Sequence, residues 1–172
     1  MSRIPVVIEG EVKSLSPGGQ NILVEKIINE FAPRFTPGSR LIYVGDTDEK
    51  FAHFNQSALV ALGVTIDAHG KMPDVIIHFT AKNWLVLIEA VTSHSPINPK
   101  RKAELEYLFR NSTANIVMVT AFLSRKAMVE YLPEIAWETD VWVAEDESHL
   151  IHFNGKHLLQ AYSVEKQEQS SN

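Results

Sequence analysis

Residues 71–94 read KMPDVIIHFTAKNWLVLIEAVTSH, and the fold turns on how this stretch pairs with itself. Val75 to Phe79 and Trp84 to Val91 are rich in β-branched and aromatic residues, and Thr80-Ala81-Lys82-Asn83 between them is a turn-like break; a β-hairpin is expected. Pairing Phe79 with Trp84 across the loop fixes an antiparallel register that sets Asp74 directly opposite Glu89. Opposite residues share a face, about 4.5 to 5.5 Å apart. Two like charges so placed repel unless something positive lies between them, and a divalent metal is the simplest candidate.

The surrounding chain supports a folded α/β domain. Its 172 residues suffice for one substantial core, and 45% hydrophobic with 22% charged residues is a globular composition. No apolar run approaches the roughly 20 residues of a membrane span, and MSRIPVVIEGEV lacks the basic and apolar regions of a signal peptide. The absence of cysteine excludes disulfides, thiolate metal sites and a cysteine nucleophile, and is compatible with a reducing cytoplasm. A net charge of −5 argues against a broad basic surface that coats nucleic acid, but not against a nuclease whose metal-binding acids count at full charge.

Outward from the hairpin, the periodicities alternate. Leu23, Ile27 and Phe31, with Val24 and Ile28 beside them, mark an amphipathic helix over 21–31, ended by Pro33 and Pro37-Gly38. Leu41 to Val44 is a short strand leading into Gly45-Asp46-Thr47; a helix is expected from about Asp48 to Leu62, closed by Gly63, with a further short strand over Val64 to Ile66. Asn98 and Pro99 are a good N-cap and first residue for a helix to about Phe109. Ile116 to Phe122 has the near-continuous apolar character of a doubly buried central strand. Ser124 caps a helix to Leu132, and Val141 to Ala144 with Leu150 to Phe153 form a final strand pair. The expected architecture is a mixed central sheet flanked by helices on both faces, one domain over 1–164, with 1–37 an N-terminal strand and helix, 38–160 the core and 165–172 a polar, flexible tail.

Pro-Asp, a strand pair and then Glu is the skeleton of a PD-(D/E)xK nuclease site, in which two carboxylates grip Mg²⁺ and a lysine two residues beyond the second acid helps activate water. Here that position is Val91. The helix beginning at Pro99 opens with Lys100, Arg101 and Lys102, where the macrodipole disfavours cations; so placed, they and the helix N-terminus suit DNA phosphate, and Lys100 is the first candidate for the missing cation, Lys71 the second. An ordinary solvated charge run is the alternative. Gly45-Asp46-Thr47 reads as a functional strand end, as a nucleotide-binding turn or simply as a helix cap. His78 shares Asp74's face and reads as a ligand or a structural histidine; His94 reads as a phosphate contact or a base. Trp137, Trp142 and Phe153 read as core or sheet-edge cover.

Taken together, YVGDTDEK, KMPDVIIH, LIEAVTSH followed by Pro96 and Lys100-Arg101, IVMVTAF and AWETDVWVAEDESHLIHFNG resemble the catalytic C-terminal domain of the BsuBI/PstI type II restriction endonucleases over roughly residues 38–160. The resemblance implies a restriction-endonuclease-like core, Mg²⁺-dependent hydrolysis of double-stranded DNA, Asp74 and Glu89 as metal ligands and Asp46 as a further catalytic-site residue. It also implies a homodimer, matching the two-fold symmetry of a palindromic duplex, and an N-terminal recognition region or separate subunit beyond this chain. Position 95 is serine where the resemblance leads us to expect glycine. Val91 keeps a second reading open, an inactive nuclease-fold domain that binds DNA or a partner protein. A nucleotide-dependent enzyme built on Gly45-Asp46-Thr47 is a third, and no P-loop accompanies it.

Overall fold

The computed structural model describes residues 2–66 and 70–155, so the expected tail over 165–172 and the end of the core at 160 lie outside the described residues. Its framework is a seven-stranded mixed sheet in the order β4-β3-β5-β6-β7-β8-β9, comprising β3 (Arg40–Val44), β4 (His53–Phe54), β5 (Val75–Phe79), β6 (Trp84–Val91), β7 (Asn115–Phe122), β8 (Asp140–Val143) and β9 (Leu150–His152). The β5–β6 hairpin has the expected register, Phe79 opposite Trp84 and Val75 opposite Ile88. β6, β7 and β8 run parallel, joined by crossovers carrying helices α4 (Pro99–Leu108) and α5 (Arg125–Val129). Both helices start as the sequence expects: Asn98 accepts from Arg101 N, and Ser124 from Ala127 N.

Strand alternation divides the core between the two faces of the sheet. Val75, Ile77, Val86, Ile88, Ala90 and Trp142 face α1 (Gly19–Lys26), while Ile76, Leu85, Leu87 and Met118 pack under α4 and α3 (Gln56–Ala61). At the far end Val91, Phe122 and Val141 pack with Met128 of α5.

Four local expectations are corrected. The N-terminal region contains a hairpin, β1 (Ile4–Ile8) and β2 (Glu11–Leu15), turned at Glu9-Gly10 with both residues at positive φ. The following helix does not stop before Pro33. It passes through a π-helical turn (Ile27–Phe31), in which Ala32 N donates to Ile27 O, into α2 (Ala32–Phe35). The widened turn tolerates a proline that would clash with an α-helical carbonyl four residues back. Residues 48–55 are not helical, because Phe51 and Phe54 fold onto Tyr43 with ring centroids 6.1 and 5.4 Å away; the helix starts instead at Gln56, capped by Asn55. Val64 to Ile66 form no strand. Gly63 (φ 88°) and Val64 close α3 in a Schellman arrangement, their amides donating to Val60 O and Leu59 O, and Val64 is buried against Leu59.

Candidate active site

Asp74 immediately precedes β5 and Glu89 is the sixth residue of β6, so the hairpin register carries both to the same end of the sheet, on the face covered by α4. The peptide before Val75 is fixed by Gly45 N, which donates to Asp74 O at 2.8 Å. The Asp74 carboxylate accepts from Ala90 N at 2.7 Å and from Gln20 Nε2 at 3.3 Å, and hydrogen bonds with the Glu89 carboxyl. Burial raises both acids above the usual carboxylate range. Glu89 is pushed up to about 7, by burial first and then by the charge of Asp74, against the pull of Arg101 and Lys71. Asp74 is raised by burial, opposed by the Ala90 amide, Glu89, Lys71 and Arg101.

Arg101, on the first turn of α4, reaches back to this pair. Its Nε and Nη2 lie 2.8 and 2.7 Å from Glu89 Oε1, and Nη2 also donates to Lys71 O at 3.0 Å; both side chains are nearly buried, at 11% and 12% exposure. The three basic residues of that turn separate. Arg101 is committed to Glu89, Lys102 donates to Trp137 O at 3.1 Å away from the acids, and Lys100 lines the cavity above them. That cavity, about 550 Å³, is walled by Lys71, Asp74, Glu89, Ser93, His94, Lys100 and Arg101. A second hollow of about 340 Å³ adjoins it, sharing Lys71, Asp74 and His94 and extending to Asp46, Thr47 and Lys50.

Asp46 has a different environment from the acid pair. Its Oδ2 accepts from Ser16 N at 2.8 Å and its Oδ1 from Asp48 N and Glu49 N at 3.0 and 3.3 Å. Partial burial alone would raise this carboxyl, but the hydrogen bonds from the Ser16, Asp48 and Glu49 amides outweigh it and lower it to about 2. His78 is bonded to Asn83 in the hairpin turn and lines neither hollow. Val91 is buried among Phe122, Met128 and Val141 and presents nothing to the cavity. Trp142 is core and Trp137 is exposed beside Phe153.

Sequence reasoning missed Gln20 and Thr92. Gln20 lies on the opposite side of the sheet and reaches around the strand ends, a juxtaposition no local spacing announces. Arg101, expected at a DNA phosphate, engages Glu89 here; its position three residues past the Asn98 cap is the local signal that it points back over the strand end.

The donor set suits a hard divalent cation: two nearly buried carboxyls side by side, Asp74 held by the Ala90 amide and Glu89 by Arg101, in a cleft open to water. Among the described residues no three His, Cys, Asp or Glu side chains converge, so a cation here draws on these two acids with backbone oxygen and water. No helix among the described residues is long and apolar enough to cross a membrane.

Residues 4–156 match the BsuBI/PstI restriction endonuclease domain, a span beginning well ahead of residue 38. The chain is 56% identical over 162 residues to the type II restriction enzyme BsuBI of Bacillus subtilis, covering 94% of this chain and 51% of that protein. It is 32% identical over 153 residues to the type II restriction enzyme AplI of Arthrospira platensis, covering 85% and 47%. The solved SdaI restriction endonuclease superposes with a TM-score of 0.87 at 44% identity, covering 94% of this chain and 51% of that one. The chain thus spans about half the length of the relatives it matches. A mixed sheet with two carboxylates at one strand end, a family match over nearly all its described length and a relative identical at more than half the aligned positions together establish that this chain belongs to the BsuBI/PstI restriction endonuclease domain family.

Proposed function

We propose that this chain is the nuclease unit of a type II restriction endonuclease and hydrolyses phosphodiester bonds of double-stranded DNA. What carries the reading is the meeting of Asp74 and Glu89 at one strand end, each with its pKa raised by burial and Glu89 further by its neighbour's charge. Asp74 and Glu89 would hold a divalent cation, Mg²⁺ in this reading, which supplies charge neutralisation at the scissile phosphate and a more acidic attacking water. Arg101 fixes the Glu89 carboxylate from the α4 side through Oε1, and Glu89 lines the cavity. Lys71 acts electrostatically on both acids and lines both hollows, which favours it over Lys100 for the role of the missing strand lysine; Lys100 then takes a neighbouring DNA phosphate. Asp46 supports the site as a clasp on the loop beside it. Cleavage leaves a 5′-phosphate and a 3′-hydroxyl, in the cytoplasm where the DNA is met.

A palindromic duplex calls for two sites related by two-fold symmetry, so we propose a homodimer, with base recognition supplied in part by sequence beyond this chain or by a separate subunit. The test is plasmid DNA with Mg²⁺: discrete fragments are expected from this chain and none from Glu89→Ala. The buried Val91 favours the alternative, an inactive DNA- or protein-binding domain. That alternative prevails if Mg²⁺ and Mn²⁺ leave the melting temperature unchanged in both the natural chain and Asp74→Ala.

A further inference from the structure

The amide of Gln20, at the start of α1, occupies a position the proposed chemistry has not used. Its Nε2 lies 2.8 Å from Ala90 O and 3.3 Å from Asp74 Oδ2, while its Oε1 accepts from Thr92 Oγ1 at 2.9 Å. The orientation is fixed by chemistry. A carbonyl oxygen only accepts, so the atom facing Ala90 O must be the nitrogen, and the Thr92 hydroxyl then meets the amide oxygen. Ala90 closes the loop from its other side, since its own N–H donates to the same Asp74 Oδ2. One side chain from the far side of the sheet therefore spans the beginning of β5 and the end of β6. It offers a donor, a partial positive charge, to the oxygens nearest the acid pair. Asn21 next to it is buried and bonded to Ser16 O and Thr47 Oγ1, which holds this end of α1 in place.

We propose that Gln20 is a positioning residue. Its amide nitrogen aligns Asp74 and the Ala90 carbonyl, partly offsets their negative charge, and so sets how tightly the acid pair takes a divalent cation. The inference rests on the reading of Asp74 and Glu89 as cation ligands. Gln20→Glu is nearly isosteric but turns the donor into a third acceptor facing two oxygens, a repulsion that a cation relieves; metal affinity rises with the number of converging carboxylates.

The experiment measures melting temperature and Mg²⁺ and Mn²⁺ affinity, by calorimetry without DNA, for the natural chain, Gln20→Glu, Thr92→Val and Asp74→Asn. Gln20→Glu is expected to melt lower than the natural chain without metal and to bind the cation about 10-fold more tightly. Thr92→Val leaves an exposed position apolar and removes the hydroxyl that holds the amide oxygen, loosening the amide nitrogen's hold on Asp74 and Ala90 O, so it shifts affinity the same way by about 3-fold with little change in metal-free melting. It keeps the inference testable if Gln20→Glu folds only with metal. Cation binding by the natural chain that Gln20→Glu and Thr92→Val leave unaltered overturns the role of Gln20 alone. Absence of cation binding in the natural chain, or binding that Asp74→Asn does not weaken, overturns the reading beneath it as well.

Discussion

Glu89 stands at the end of β6 with an arginine on one side and a second carboxyl on the other, and its ionisation governs how stability depends on pH. Its folded pKa of about 7 lies above the ordinary 4.5, so between those values the folded state binds more protons than the unfolded one and stability falls as pH rises. Asp74 is shifted in the same direction and adds to the fall. Asp46, held down at about 2, contributes stability that is present above its ordinary 3.8 and lost only as pH drops through 2, below this window. Without added metal the protein is therefore expected to melt higher at pH 5.5 than at pH 8, and saturating Mg²⁺ to narrow the gap by favouring the ionised acids. Scanning calorimetry at the two pH values checks this, and equal melting temperatures would contradict it. Arg101 is the counterpart. Arg101→Ala leaves Glu89 without its cation and is expected to cost roughly 1–3 kcal/mol at pH 8, seen as a lower urea midpoint, and less at pH 5.5 where Glu89 is protonated. Val91 gives a sharper contrast. A lysine placed there to complete the usual nuclease motif would bury an ammonium among Phe122, Met128 and Val141, so Val91→Lys is expected to unfold the chain rather than activate it.

At the scale of elements, the features legible in advance were those written as local pattern. The hairpin register, the Asn98 and Ser124 caps and the apolar β7 follow from alternation and capping chemistry that neighbouring residues decide among themselves. The helix expected from Asp48 failed because Phe51 and Phe54 pack on Tyr43, a contact made across strands rather than along the chain. The site divides similarly. Asp74 and Glu89 meet through the hairpin register and Arg101 through its place after the Asn98 cap, whereas Gln20 arrives from a helix on the opposite face and is invisible to spacing. One element-level prediction follows from the α3 cap. Gly63 has φ 88°, and a Cβ there would lie 2.5 Å from Asn111 O, so Gly63→Ala is expected to destabilise by about 1–3 kcal/mol. Chemical denaturation of the variant measures it.

For the whole molecule, a net charge of −5 means that, on the proposed function, attraction to DNA rests on a small group of cations around one cleft rather than on the overall field. DNA binding by this chain should weaken steeply with salt, and Lys71→Ala and Lys100→Ala should each lower the slope of log K against log salt by about one; fluorescence anisotropy across a salt series reads it. The π-helical turn at Ile27–Phe31 bears on the same cleft from a distance. It accommodates one residue more than an α-helical turn, and each residue of a helix advances about 100° around its axis. A one-residue deletion within it would restore regular winding yet throw the two halves out of phase. With Phe31 and Phe35 anchored in the core, Gln20 would swing away from Asp74, so the tolerance of this helix to insertions and deletions is set at the proposed site, more than fifty residues away in the linear sequence.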